Sequence, residues 1–303
     1  MEKRPCNSPG LRYINLSFGR TGFFLILLPI LSATLSKGFA QQNVQFSHLT
    51  NLNGLSQSTV QVMLKDRYGF MWFGTQDGLN RYDGYKFKIY RHVYNDRKSL
   101  RRNNILSLIE DKGGNIWVGT ENGGLSLYDR DHDCFINYIE DPNNPKKISQ
   151  KTITTVYEDK QSNFWVGTYW NLNLLDRKTG QVTRFISDEK NSESLTSNGI
   201  TAFFEDSRNN LWIGTQNGLN LMNRKTKKFR RFFYNDKDPN TISGNKIRNI
   251  TEDGSGNLWI GTEGSGLNLF DYRSGVFKRF QQNASNPDAI SNNTITAVAD
   301  AGT

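Results

Sequence analysis

Cysteine is nearly missing: the chain has 303 residues and only two cysteines, Cys6 and Cys134. They are too few for a disulfide framework or a thiolate metal site, and a lone cysteine on a strand reads as a small apolar packing residue. Histidine is almost as scarce. His48, His92 and His132 stand far apart, and none has a Cys or His partner at metal-ligand spacing. No Gly-x-Ser-x-Gly, no phosphate-cradling loop and no isolated activated nucleophile occurs. The paired acidic residues form no interpretable acid–base couple. The sequence therefore predicts no catalytic residue, no metal and no cofactor.

Long helical rhythm is missing too; no extended stretch repeats its apolar residues every 3.6 positions. Apolar runs are short, with one exception, Phe23–Leu31, which contains Pro29. It follows Lys3, Arg4, Arg12 and Arg20 and precedes Gly38-Phe39-Ala40, whose small residues flank a signal-peptidase cut. Residues 1–40 read as a secretory signal peptide cleaved after Ala40, which predicts export to the periplasm. The alternative, an uncleaved membrane anchor, has too short a run to span a bilayer comfortably. No later segment is apolar enough to span one, so no membrane span is expected after cleavage. Of the formal charge of +9, the first forty residues hold five Lys or Arg and one Glu, leaving +5. Basic residues are spread over the whole chain without a stripe, which gives no case for nucleic acid and leaves weak attraction to acidic ligands open.

Repetition is what the chain does have. "FMWFGTQDGLNRYDG", "NIWVGTENGGLSLYDR", "NFWVGTYWNLNLLDR", "NLWIGTQNGLNLMNR" and "NLWIGTEGSGLNLFDY" are five versions of one phrase. Their tryptophans, Trp72, Trp117, Trp165, Trp212 and Trp259, are 45, 48, 47 and 47 residues apart. That is the length of one four-stranded propeller blade. Each unit divides into four strand-like pieces. The first alternates and ends in Asp66, Asp111, Asp159, Asp206 or Asp253, followed by a turn closed by Gly69, Gly114, Ser162, Asn209 or Gly256. Asp there can accept backbone N–H bonds, and Gly or Asn tolerates a left-handed conformation; Ser162 is the weakest of the five. The second strand looks buried on both faces, as in a blade between two neighbours. Gly74, Gly119, Gly167, Gly214 and Gly261 hold one fixed offset from the tryptophan, where a glycine inside a strand marks the close approach of another backbone. The five carboxylates could ring one propeller face, but their repetition favours a structural role. So does the repetition of the tryptophans and glycines: one hairpin pair cannot shelter an indole, and stacked units can. The fold class expected is all-β, a β-propeller of four-stranded antiparallel blades.

The phrase "GNLWIGTEGSGLNLFD", preceded by "ITED", resembles the two-component regulator propeller repeat, and the likeness runs from about Phe46 to Val298. Trp-Asp and kelch signatures are absent. The resemblance implies a periplasmic sensor region of a histidine kinase or hybrid two-component protein, in which seven-bladed propellers precede a β-sandwich, a membrane helix and an intracellular output module. It also implies an oligosaccharide ligand and a homodimer in the full-length sensor, with ligand binding relayed through dimer geometry. Residues 41–303 then make a partial propeller. "NTITAV", Asn293–Val298, begins a sixth unit, and the expectation is five complete blades plus that start, an incomplete seven-bladed ring from a truncated gene product. Closure as a tighter ring is the alternative. So are a secreted propeller lyase or hydrolase, for which the three histidines would have to converge, and an inert remnant.

One unit breaks the pattern where chemistry is possible. "GTYWNLNLLD" puts Trp170-Asn171 where the siblings have Asn or Asp followed by Gly. Asn171 can take a left-handed conformation and preserve the turn. Trp170 then either packs on a neighbouring loop or forms, with Tyr169, a stacking platform for a sugar ring. Tyr169, Trp170 and Asn171 are the candidate ligand-binding residues.

Overall fold

The computed structural model describes residues 46–300, and the signal peptide expected at residues 1–40 lies outside them. Twenty strands form five four-stranded antiparallel sheets, each in the order of the chain. Blade 1 comprises β1 (Val60–Lys65), β2 (Met71–Thr75), β3 (Gly78–Tyr82) and β4 (Phe87–Tyr90). Blade 2 comprises β5 (Ile105–Glu110), β6 (Ile116–Thr120), β7 (Gly124–Asp129) and β8 (Cys134–Tyr138). Blade 3 has β9 (Ile153–Glu158), β10 (Phe164–Thr168), β11 (Leu172–Asp176) and β12 (Gln181–Phe185). Blade 4 has β13 (Ile200–Glu205), β14 (Leu211–Thr215), β15 (Gly218–Asn223) and β16 (Lys228–Phe232). Blade 5 has β17 (Ile247–Glu252), β18 (Leu258–Thr262), β19 (Leu267–Phe270) and β20 (Phe277–Phe280).

The inner strands pack in succession, β1 on β5, β5 on β9, β9 on β13 and β13 on β17. Among the described residues no comparable packing joins β17 to β1, so the tighter closed ring is not what forms. Residues 293–298 form no strand. They nevertheless lie along blade 5 as an inner strand would: Asn293 O accepts from Gly266 N at 2.7 Å, and Ile295 N donates to Thr262 O at 3.0 Å.

Antiparallel pairing puts the turns at two ends. The β1–β2 and β3–β4 turns and their equivalents share one end of the blades, here the clasp face. The β2–β3 turns and the long connections between blades share the other, the loop face. All five turns after the repeat aspartate hold a left-handed residue, Ser162 included (φ 64°).

The tryptophans occupy the seams between blades. Trp72, Trp117, Trp165 and Trp212 are at most 1% exposed, each covered by the blade that follows. Trp259, which no sixth blade covers, is only half-buried. The repeat glycines make room for a side chain, which corrects the expectation of a backbone. A Cβ on Gly74, Gly119, Gly167, Gly214 or Gly261 would come within 2.7–2.8 Å of Cγ2 of Ile105, Ile153, Ile200, Ile247 or Ile295, the isoleucine at the inner-strand position that opens the next blade. A β-branched residue thus plugs a notch cut by the absence of a side chain.

Candidate functional site

The clasp face accounts for the repeat carboxylates. Asp159 Oδ1 accepts from the N–H groups of Gln161 and Asn163, which closes the turn, while Oδ2 accepts the indole N–H of Trp165 at 2.9 Å. Arg224, from the next blade, adds an ion pair to the same oxygen at 2.5 Å and one to Glu205 at 2.6 Å. Arg130 does this for Asp66, and Arg177 for Asp111. At the fourth seam Tyr272 stands in the arginine's place; its hydroxyl donates to Asp206 at 2.7 Å, and Arg208 stacks on its ring. Burial would raise the carboxyl of Asp159, but the indole, Asn163 and Arg224 outweigh it and hold it below the usual carboxylate range. Asp253 bonds Trp259 and Asn257 and is depressed to about 2. Every one of these groups is consumed by structure, in agreement with the structural role expected from repetition.

A second set of ties was not legible as function or structure. In the seams, Glu110, Glu158, Glu205 and Glu252 each accept the backbone N–H of the turn in the blade before. Inside the blades, Asn80, Asn173, Asn220 and Asn268 are fully buried and latch Ser56, Ser149, Thr196 and Ser243 by two hydrogen bonds each. The signal was there: Asn follows Leu at one position of the third strand in four units, and in the same four a hydroxyl stands four residues before the inner strand begins.

The histidines do not converge. His92 Nδ1 contacts Leu100 O at 2.9 Å, His132 pairs with Asp129, and His48 is exposed. Among the described residues no three of His, Cys, Asp and Glu are grouped to hold a metal. Cys134 lies on β8, half-buried.

The loop face carries the residues that structure does not consume. Tyr169 and Trp170 are 48% and 62% exposed, so Trp170 is not packed away against a neighbouring loop. They line an open cleft of about 330 Å³ between the blade 3 turn and the start of blade 4, together with Ser187, Asn198, Gln216 and Asn217. The turn survives by another device than the one expected. Asn171 is not among the residues with positive φ; instead Thr168 Oγ1 donates to Asn171 O and accepts from Asn171 N, both at 2.9 Å. That substitution has a cost in the seam. In the other units the N–H of Gly78, Gly124, Gly218 or Gly266 reaches a carbonyl of the following unit, Asn103, Lys151, Asn245 or Asn293. Asn171 N turns inward, and the tie is lost at the seam where this cleft lies.

The two component regulator propeller family model matches residues 54–77, 99–122, 147–170, 194–217 and 241–264. Each stretch runs from just before the latch residue, through the inner strand and the Trp-x-Gly-Thr strand, into the loop-face turn. These are two component regulator propeller repeats. A stretch of 78 residues is 41% identical to histidine kinase P4 of Formosa agariphila, covering 26% of this chain and 6% of the kinase. The extracellular domain of the hybrid two component system BT3049 of B. thetaiotaomicron is similar over 83% of this chain and 38% of that chain (23% identity, TM-score 0.52). PorZ, a surface component of the type-IX secretion system of Porphyromonas gingivalis, is similar over 79% and 35% (16% identity, TM-score 0.57). Virginiamycin B lyase from Staphylococcus aureus is similar over 75% and 70% (15% identity, TM-score 0.53). These structural likenesses show the shared propeller fold. The chain spans well under two thirds of the kinase and of the hybrid-system domain it matches.

Proposed function

We propose that this propeller is an exported, non-catalytic ligand-sensing module of a two-component signalling system, and that its ligand is an oligosaccharide held on the loop face by Tyr169, Trp170 and Asn171. The observation that carries the ligand is Trp170: a large indole exposed at the lip of a polar cleft, in the one unit whose turn gave up a tie between blades. Sugar rings present C–H faces that stack on an indole and hydroxyls that bond amides and hydroxyls, and Asn198, Gln216 and Asn217 supply such groups beside it. The signalling context is supported by the repeat family and by the kinase relative. The extracellular-domain neighbour supports export, and no helix among the described residues is long and apolar enough to cross a membrane. The scattered histidines and the absorption of the repeat carboxylates into clasps favour sensing over lyase or hydrolase chemistry. In this reading a full-length sensor pairs as a homodimer in the periplasm and relays binding to an output module.

Calorimetric titration of the chain with a panel of neutral and acidic oligosaccharides tests the ligand. Trp170→Ala is expected to weaken binding by roughly tenfold, as loss of a central aromatic anchor does, with the melting temperature unchanged. A panel in which nothing binds, or a Trp170→Ala variant that binds as tightly as the parent, removes the glycan from the proposal.

A further inference from the structure

Blade 2 departs from its siblings without a structural gain, and the departure leaves an arginine unpartnered. The latch position holds Ser56, Ser149, Thr196 and Ser243 in the other blades, each bonded to a buried asparagine. In blade 2 it holds Arg101, and the asparagine is replaced by Ser126. The interior is satisfied without Arg101: Ser126 Oγ donates to Asn137 Oδ1 at 2.6 Å, and Asn137 Nδ2 donates to Arg97 O and Ser99 O. Among the described residues the Arg101 guanidinium has no carboxylate, hydrogen-bond acceptor or ring partner. Its neighbour Arg102 donates only to the Arg101 carbonyl, at 3.2 Å. Most other arginines are spent on clasps, seams and loops; Arg97 and Arg273 are also without a side-chain partner, but neither has an arginine beside it, and neither lines this cleft.

The two line one cleft of about 230 Å³ on the loop face, with Asn122, Gly123, Glu140 and Lys151. Lys151 is tied to Glu140 at 3.2 Å, the one carboxylate facing three cations. The cleft is shaped for the arginines. The blade 2 turn has an extra residue, Asn122, in the left-handed region (φ 59°), and Gly123 lets the Arg102 stem lie close, since a Cβ there would be 3.0 Å from Arg102 Cβ and Cγ. The Trp170 cleft lies at the next seam of the same face.

We infer that Arg101 and Arg102 form an oxyanion subsite, which takes a carboxylate or sulfate group carried by the ligand. A planar guanidinium fork matches both groups in a bidentate manner. The inference deepens the glycan reading, on which it rests for the face involved, and adds that the sugar is acidic.

The test titrates the full chain with an oligogalacturonide, a sulfated dextran oligosaccharide of similar length, unsulfated dextran and inorganic sulfate. The Arg101→Gln/Arg102→Gln variant is expected to lose at least tenfold in affinity for whichever oxyanion-bearing probe binds. The Arg97→Gln/Arg273→Gln variant removes two other exposed arginines and should stay within twofold. The first two probes distinguish carboxylate from sulfate, and binding of inorganic sulfate alone would show a subsite that needs no sugar. Melting temperatures of both variants exclude unfolding, and Arg101→Ser/Ser126→Asn, which rebuilds the sibling latch, should also lose anion affinity while folded. Equal loss in the two arginine pairs would mean diffuse charge attraction and overturn the inference, as would failure of every anionic probe to bind. Unsulfated dextran bound through Trp170, with no gain from any anion, would uphold the glycan reading and sink this one.

Discussion

At the scale of the residue, one carboxylate per unit closes a turn and caps an indole, and in the first three units it also anchors an arginine from the next blade. Asp159 is the most enclosed case, because Arg224 is itself largely buried against Asp159 and Glu205. Asp159→Asn keeps an acceptor for the turn but leaves that guanidinium with half its countercharge. The expected cost is about 3 kcal/mol in urea unfolding, the scale of a broken buried pair. Asp253→Asn, with no cation from a following blade, is expected to cost clearly less in the same assay. The sign of the pH dependence follows. These aspartates titrate lower when folded than when unfolded, so the unfolded chain takes up protons first as pH falls. Stability from Asp253 is complete above pH about 4 and lost as pH drops through about 2, and the other clasps, also held below the usual carboxylate range, likewise lose theirs in acid. Acid titration monitored by tryptophan emission should show this loss, and D159N should flatten it. The turn-forming role of the aspartate was legible from its position before Gly, Asn or Ser. Its bond to an indole six residues on was not, because period-2 reasoning says which face a side chain takes and not which polar atom it meets.

At the scale of the element, the second strand of each blade is a slot, and the glycine in it is the notch. The sequence located all five glycines, and only their reason needed correcting. A backbone approach would tolerate a small side chain poorly everywhere, whereas an isoleucine plug predicts dependence on the partner. Gly167→Ala pushes a methyl within 2.8 Å of Ile200 and Thr155 and is expected to cost about 1–3 kcal/mol from overpacking. Trimming the plug in the double variant Gly167→Ala/Ile200→Val should recover part of that cost, measured as a coupling energy in denaturant melts. Ile200→Ala alone, at a fully buried site, is expected to cost about 2–5 kcal/mol, and Ile295→Ala, at a half-buried one, much less. The blade 3 turn was the hardest element to read. Asn171 invited a left-handed assignment, yet the Thr168 hydroxyl, a residue common to all five repeats, closes the turn without one.

At the scale of the whole molecule, the five units form one continuous stack in which each blade finishes the burial of the one before. The periodicity of the sequence specifies the blade count and strand order, because a 47-residue repeat with four strand-like pieces has few other solutions. The latches, the Glu ties and the Arg101 departure were not legible from it, because they become visible only when equivalent positions are superposed. Blade 1 shows that the stack has a direction: it carries Lys65 where blades 2 to 5 have glutamate, and Gly84 where they have arginine or tyrosine. Its outer side therefore lacks both groups that join a blade to its predecessor. The account rests on the claim that indoles are sheltered by the following blade, and indole N–H hydrogen exchange in the ¹⁵N-labelled chain tests it most directly. The N–H groups of Trp72, Trp117, Trp165 and Trp212 should exchange slowest, Trp259 faster although it has the same aspartate partner, and Trp170 at once. Equal protection of Trp259 and the other four, or rapid exchange at all six, would contradict it.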